Sequence, residues 1–590
     1  MHFSIDSNIA LKRLHFDKIA DVPETLKNDL IKTAERMLSD PMDYLPLSLY
    51  KDFSRTGNRE NYETPYFRKR IRLSTLVIAE LIEDKSRFMD RIEDEIWSLL
   101  GEPGWVLPPH NTYVRDTPTL PVPDTGRPVL DLFALESGEI VALALNLLET
   151  KLTPSLALTI ESEIRKRIID PYLSSWFWWM GWKGEEKLNN WTVWCTQNLL
   201  LAAFAIRLSQ DEYHQILDKA LSSLSDWYSQ YGDDGCCDEG AHYWHAAGLC
   251  FWGAIRIVNE VSGGALEWLF KEDKARNIAS YITNMHIEGE WYINFADCSP
   301  KAGELGAREY LFGKDVSDNT LIRQSMLDFR EHIRRLEAGE ELPFDDNQYN
   351  LWYKWLKYRY ASELFLNELP DAEEAKPYVY YPSVGISIYR KGKTLLAVKT
   401  GCNDDSHNHN DTGSMILSIG SHPVLVDIGV ETYTRKTFSS ERYTLLPMQS
   451  LYHNVVNFDG VGQSAGREYK ATEVISCKDG IEMELAQAYP EGTVESYKRR
   501  VLFSENRIQF SEVVRNGKQP VLSLIVMDKP VIEEGSVSAA EKWRISFENA
   551  DDIKLETLDI TDNRLRIAWP DKLYRLLISF SSKLDWSVEV

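Results

Sequence analysis

The stretch PDAEEAKP (370–377) followed by YVYYPSVGISIYRKGKTLLAVKTG (378–401) divides the chain into two kinds of sequence. After Pro377 the residues alternate and are rich in Tyr, Val and Ile, which favour a pleated, half-buried strand. The same character continues to Val590, in SMILSIGSHPVLVDIG (414–429), KRRVLFSENRIQFSEVVRNGKQPVLSLIVMD (498–528) and NRLRIAWPDKLYRLLISFSS (563–582). Short strands separated by Gly, Asn and Asp turns predict an antiparallel β-sandwich over 373–590.

Before Pro370 the period is helical. LSTLVIAELIEDKSRFMDRIEDEIWSLL (73–100), ALESGEIVALALNLLETK (134–151) and NWTVWCTQNLLLAAFAIRLS (190–209) read as helices. Ser209 with Glu212 predicts a capping box opening the next helix, and Gly232 and Gly263-Gly264 mark later ends. Successive helices with short connections imply hairpins packed side by side, as in an α/α toroid or a solenoid. The expected organisation is α then β, with domains 1–372 and 373–590.

SHNHND (406–411) places His407, His409 and Asp411 at alternate positions. On an extended backbone they project to one side. A hairpin of SMILSIG and HPVLVDIG would return Asp427 to them, and His453 opens a further strand. Two His and an Asp converging this way suit Zn²⁺ with N and O ligands. Asn189-Asn190 opens a helix and, taken alone, reads as an N-cap. Tyr243 alone reads as a core aromatic, and Glu239 as a first-turn helix charge or a substrate contact. Trp176, Trp178, Trp179 and Trp182 are either packing residues or a sugar platform. Arg435, Lys436 and Arg442 offer positive charge, and Cys236-Cys237 has no zinc spacing.

Residues 406–456, with Asn189-Asn190-Trp191 and the Tyr243 segment CDEGAHYWHAAG (237–248), resemble the heparinase II/III-like polysaccharide lyases. That resemblance implies an (α/α) toroid, an incomplete helical barrel, followed by the β-sandwich. It implies β-elimination on uronic-acid-containing glycans, with glycosaminoglycans such as heparan sulfate favoured because Asn-Asn-Trp replaces Asn-Asn-His. The lack of an apolar leader favours intracellular oligosaccharides and, with them, exolytic action. His409, Asp427 and His453 match zinc ligands, in a structural role. Asn190, Tyr243, His407 and Tyr443 match catalytic positions, and Asn189, Trp191, Glu239 and Arg442 are placed with substrate. Trp191 stands where some members carry His, which shifts proton transfer to Tyr243. A uronate C5 proton is weakly acidic, so its removal needs a base, an acid for O4, and donors such as Asn190 for the developing enolate. A hydrolase would instead need paired carboxylates, for which Asp233, Asp234, Asp238 and Glu239 are the candidates. A non-catalytic glycan-binding protein is the third reading.

The formal net charge of −24 argues against nucleic acid or an anionic membrane as partner, and an acidic oligosaccharide would need a locally positive cleft. A homodimer is an allowed assembly. Eighteen Trp and 28 Tyr suit sugar binding or a large core, and seven scattered Cys fit reduced thiols. No apolar leader opens the sequence, so a cytoplasmic location is expected.

Overall fold

The computed structural model describes residues 2–115, 117–182, 187–340, 342, 349–371, 373–504, 507–539 and 542–589. The chain forms two compact units. The first comprises 1–231, 245–279 and 304–372, and the second 232–244, 280–303 and 373–590. Two segments expected in the helical domain therefore group with the β-rich one. Ala372, at the expected boundary, lies outside the described residues.

In the first unit six helices form an inner ring: α1 (Glu60–Glu83), α2 (Leu132–Leu148), α3 (Asn190–Ala205), α4 (Gly248–Ser262), α5 (Ala307–Val316) and α6 (Leu351–Arg359). Each packs on the next, and α6 packs back on α1. Both α2 and α3 are buried on nearly every side, which explains why their apolar residues are not confined to one face. Their outer partners are amphipathic. In Gln210–Gln230 the buried positions Tyr213, Ile216, Leu217, Ala220, Leu224 and Trp227 follow the helical period, and Ser209 and Glu212 form the expected capping box. Polar groups inside the ring are matched rather than avoided. The buried Glu139 accepts hydrogen bonds from the Trp352 and Leu351 amides at 2.8 and 3.3 Å, satisfying donors at the start of α6. No described helix is long and apolar enough to cross a membrane.

The second unit contains two large antiparallel sheets, of eight and nine strands. Their inner faces share one core, with Leu417, Leu425, Leu524 and Leu576 from one sheet and Met483, Val501, Phe510 and Trp586 from the other. The period of two that fills this core also buries charge. Strand Ser496–Phe503 turns Tyr497, Arg499 and Val501 inward, and Arg507–Arg515 turns Ile508, Phe510, Glu512 and Val514 inward. Arg499 and Glu512 are register partners, and the Arg499 Nε donates to Glu512 at 3.0 Å. The same guanidinium donates to the carbonyls of Gly413 and Asn454 at 2.6 and 2.8 Å, pinning two loops that carry candidate metal ligands. Arg499→Met should destabilise this unit by about 3–5 kcal/mol, because it leaves Glu512 buried and uncompensated. Denaturant unfolding checks this, and a loss below about 1 kcal/mol would refute it.

Candidate active site

Two catalytic candidates of the second unit, Tyr243 and His407, meet around a carboxylate that no sequence pattern singled out, Asp297. It sits after the short antiparallel pair His286–Glu288 and Trp291–Tyr292. Two backbone features bring the neighbouring segments against it. Gly240 has φ +91°, and a Cβ there would lie 2.6 Å from the Phe295 carbonyl oxygen, so only glycine lets the segment carrying Glu239 and Tyr243 approach this closely. Asn294 Nδ2 donates to the Asp427 carbonyl at 3.1 Å, tying the same loop to the start of the metal-candidate group. Ala296 and His407 both hold left-handed backbone conformations, with φ of +66° and +57°. Each costs of order 1–3 kcal/mol, strain that concentrates where side chains are aimed for function.

Asp297 is fully buried and accepts from four side chains. His407 Nδ1 lies 2.8 Å from Oδ2 and His409 Nε2 3.0 Å from Oδ1. The Arg442 guanidinium donates at 2.7 Å and the Tyr433 hydroxyl at 3.1 Å. Burial alone would raise this carboxyl, but the two histidines and Arg442 hold it well below the usual carboxylate range. His407 is flanked on its other side by Glu239, with Nε2 3.2 Å from Oε2. Burial would lower this imidazole, and the charge of Tyr243 with bonds to Asp297 and Glu239 holds it well above its ordinary value. The Tyr243 ring stacks on His407 at 4.3 Å, and its hydroxyl lies 2.7 Å from that of Tyr433.

Tyr433, which no sequence reading singled out, therefore meets Tyr243. Tyr443 Oη is 3.4 Å from Asn408 Nδ2. Arg442, expected against substrate, spends its guanidinium on the Asn408 and Thr437 carbonyls and on Asp297. Glu239 faces His407 rather than serving only as a helix-start charge. Asn189 and Asn190 belong to the first unit. There Asn189 is the N-cap of α3, its side chain accepting from the Trp191 amide at 3.1 Å, and Asn190 is buried at the first helical position. Trp191 is half-buried and packs on His110 and Trp178 at 4.8 and 5.0 Å. Asp234, a carboxylate for the hydrolase reading, is committed to Ser383 and the Cys236 amide.

The predicted hairpin is present, Met415–Ile419 paired with His422–Leu425, and Asp427 follows its second strand. His409, Asp427 and His453 converge, each offering one ligand atom within 4.8 Å of the others. The expected geometry of 407–411 differs. The segment is not a strand, because His407 takes the left-handed region. Asp411 instead pairs with Lys399 at 2.7 Å, outside the group. The donor set fits a divalent metal ion. His409 donates its Nε2 proton to Asp297 and His453 its Nε2 proton to the Pro447 carbonyl at 2.9 Å. Both Nδ1 lone pairs are thereby directed at the group, the arrangement by which outer acceptors orient metal-binding histidines. Asp427 Oδ1 accepts from the Gly429 amide, leaving Oδ2. These three atoms, His409 Nδ1, His453 Nδ1 and Asp427 Oδ2, are buried without a hydrogen bond. His453 Nδ1 and Asp427 Oδ2 lie 3.1 Å apart as an ion-pair contact, yet out of hydrogen-bond geometry. Orphaned polar atoms at this depth are costly unless an ion satisfies them.

Comparison with known proteins agrees with this architecture. Residues 373–509 match the family model described as heparinase II/III-like, C-terminal. A heparinase III crystal structure is 12% identical with a TM-score of 0.62, covering 98% of this chain and 86% of that one. A mutant heparan sulfate lyase from Pedobacter heparinus is 12% identical with a TM-score of 0.56, covering 99% and 86%. Chondroitin AC lyase of Streptomyces coelicolor A3, solved with chondroitin sulphate, is 8% identical with a TM-score of 0.55, covering 98% and 80%. At such identities the likeness is one of fold. A search of curated proteins finds no match. Residues 373–509 are thus similar to the heparinase II/III-like C-terminal domain, and the chain, a helical region followed by antiparallel sheets, shares the fold of the heparinase and chondroitin lyases.

Proposed function

We propose that this protein is a polysaccharide lyase that cleaves uronic-acid-containing glycosaminoglycan chains by β-elimination. The observation that carries the reading is the Tyr243 hydroxyl, 2.7 Å from a second phenol, on a ring stacked against an imidazole that both Asp297 and Glu239 hold in place. This assembly suits proton transfer at carbon and oxygen. It does not suit hydrolysis, which needs one carboxylic acid and one carboxylate facing the glycosidic bond. Here Asp297 is saturated with donors, and Glu239 faces a histidine.

In the proposed reaction Tyr243, deprotonated beforehand, removes the uronate C5 proton. The C5–H electron pair forms the C4=C5 bond, the C4–O4 bond breaks, and O4 takes a proton from the tyrosine. No water is consumed. Asn190, on the resemblance of Asn189-Asn190-Trp191, is the proposed donor to the uronate carboxylate, with Asn189 and Trp191 beside it at the substrate. His407 is the proposed second group at the reacting face. Tyr443 keeps a proposed supporting role, and Arg442 acts by holding the 408 loop.

The metal proposed for His409, Asp427 and His453 is Zn²⁺. It supplies cross-linking of three loops of the β unit rather than chemistry, since all three ligands are at most 1% exposed.

The test is incubation with oligosaccharides of heparan sulfate, chondroitin, hyaluronan and alginate while following the ultraviolet absorbance of a conjugated C4=C5 bond. Rising absorbance on a glycosaminoglycan is expected, with polymer viscosity falling slowly if cleavage proceeds from chain ends. Absence of the signal on every substrate would overturn the proposal, and a signal on alginate alone would overturn the substrate class.

A further inference from the structure

Tyr433 stands in the stretch that carries the family resemblance but is not among the positions matched to site residues, yet its hydroxyl is 2.7 Å from that of Tyr243, 3.1 Å from Asp297 Oδ2 and 3.4 Å from His407 Nδ1. Its ring packs on Phe438 at 5.0 Å, and the Arg564 guanidinium lies 4.6 Å from the ring centre. A phenol has one proton to give and can also accept. The Asp297 carboxylate can only accept, whereas the Tyr243 oxygen can do either. Two arrangements follow. With Tyr243 protonated, it donates to Tyr433, which donates to Asp297. With Tyr243 deprotonated, Tyr433 turns its proton onto the phenolate. Asp297 then still holds bonds from His407, His409 and Arg442, so the turn leaves it paired.

The geometry points to Tyr433 as the positioning residue that governs the proton on Tyr243, with Arg564 above its ring supplying the positive charge that the phenolate form requires. This rests on the reading of Tyr243 as the proton-transferring group. A hydrogen bond to an ionised acceptor is roughly twice as strong as one between neutral groups, so the Tyr433 bond favours the deprotonated state of Tyr243. Tyr433 itself remains protonated. Burial and the charges of Tyr243 and Asp297 raise its pKa well above the ordinary value, more than Arg564 lowers it. The other charged and titratable groups facing the pair are His407 under the Tyr243 ring and His242 at 5.8 Å from it. Beyond them stand Glu239 on the far side of His407 and Arg442 on Asp297. Two carboxylates oppose a phenolate here, and Arg564 is the cation that reaches the phenol pair from the 560–571 loop.

A spectrophotometric pH titration tests this without any substrate. The tyrosinate absorbance of the intact protein minus that of Tyr243→Phe isolates the ionisation of Tyr243. The same subtraction is then made with Tyr433→Phe present in both proteins. The Tyr243 midpoint should move up by about one pH unit, a tenfold smaller phenolate population at a given pH. Arg564→Met should move it in the same direction, and Arg564→Lys should restore most of the shift. Lyase pH–rate profiles of the same variants should move to alkaline pH in parallel. An unchanged or lowered midpoint in Tyr433→Phe would overturn the inference, as would a Tyr243 that does not ionise before the folded protein is lost. A protein that lacks lyase activity yet shows the shift would refute the proposed function and leave this inference standing.

Discussion

Tyr243→Phe should lower kcat by about 10²–10⁴-fold while leaving KM and the melting temperature nearly unchanged, because positioned proton transfer contributes about that much. The upper end is expected, since one phenol both takes the C5 proton and returns a proton to O4. The variant removes one oxygen from a half-buried ring whose stacking on His407 at 4.3 Å is kept. It also leaves the Tyr433 hydroxyl with a second acceptor, Asp297 at 3.1 Å, so no donor is stranded. A loss of kcat without a loss of fold therefore reports on chemistry. Less than about a tenfold decrease would remove Tyr243 from proton transfer, because general acid–base catalysis is worth more than that.

His453→Ala should abolish stoichiometric metal binding, read by elemental analysis of the purified protein. Wild-type protein should carry about one zinc per chain, as expected of a closed structural site. A chelator should lower the wild-type melting temperature, since a metal bound only by the folded state stabilises it by mass action. On His453→Ala the chelator should have no effect. The control matters because the substitution is destabilising in any case, leaving Asp427 buried beside an empty volume. Only metal content and chelator response separate loss of an ion from loss of a buried pair. Wild-type protein purified without any divalent metal, and insensitive to added zinc, would contradict the assignment.

The sequence revealed these elements unevenly, for physical reasons. The change at 370–378 was legible because it is a change of period, from helical spacing to alternation, and each period follows from local geometry. The hairpin that delivers Asp427 was legible for the same reason. Closure of the helical ring through α6 was not, since it depends on which buried polar groups satisfy one another across the ring, as Glu139 does for the α6 amides. Nor was the transfer of 232–244 and 280–303 to the β unit, which follows from long-range contacts rather than composition. Asp297 gave no motif. The one available sign was an interruption of helical period around 286–297, where a two-stranded pair stands among helices. The reading of His407, His409 and Asp411 as one face of a strand failed on a single backbone angle, the left-handed φ of His407. Tyr433 and Tyr443 both stand in the same recognisable stretch, and spacing alone does not say which phenol turns toward Tyr243.

The central claim is elimination, and the masses of the products test it most directly. Digestion of a uronate-containing glycosaminoglycan oligosaccharide of defined length should give a fragment with a new non-reducing end. Elimination predicts that this fragment is lighter by one water than the corresponding hydrolysis product and carries the C4=C5 chromophore, with no oxygen taken from labelled solvent water at the cleaved bond. A new non-reducing-end fragment of full hydrolytic mass, with a 4-hydroxyl and no chromophore, would contradict the assignment of Tyr243 and its neighbours to lyase chemistry.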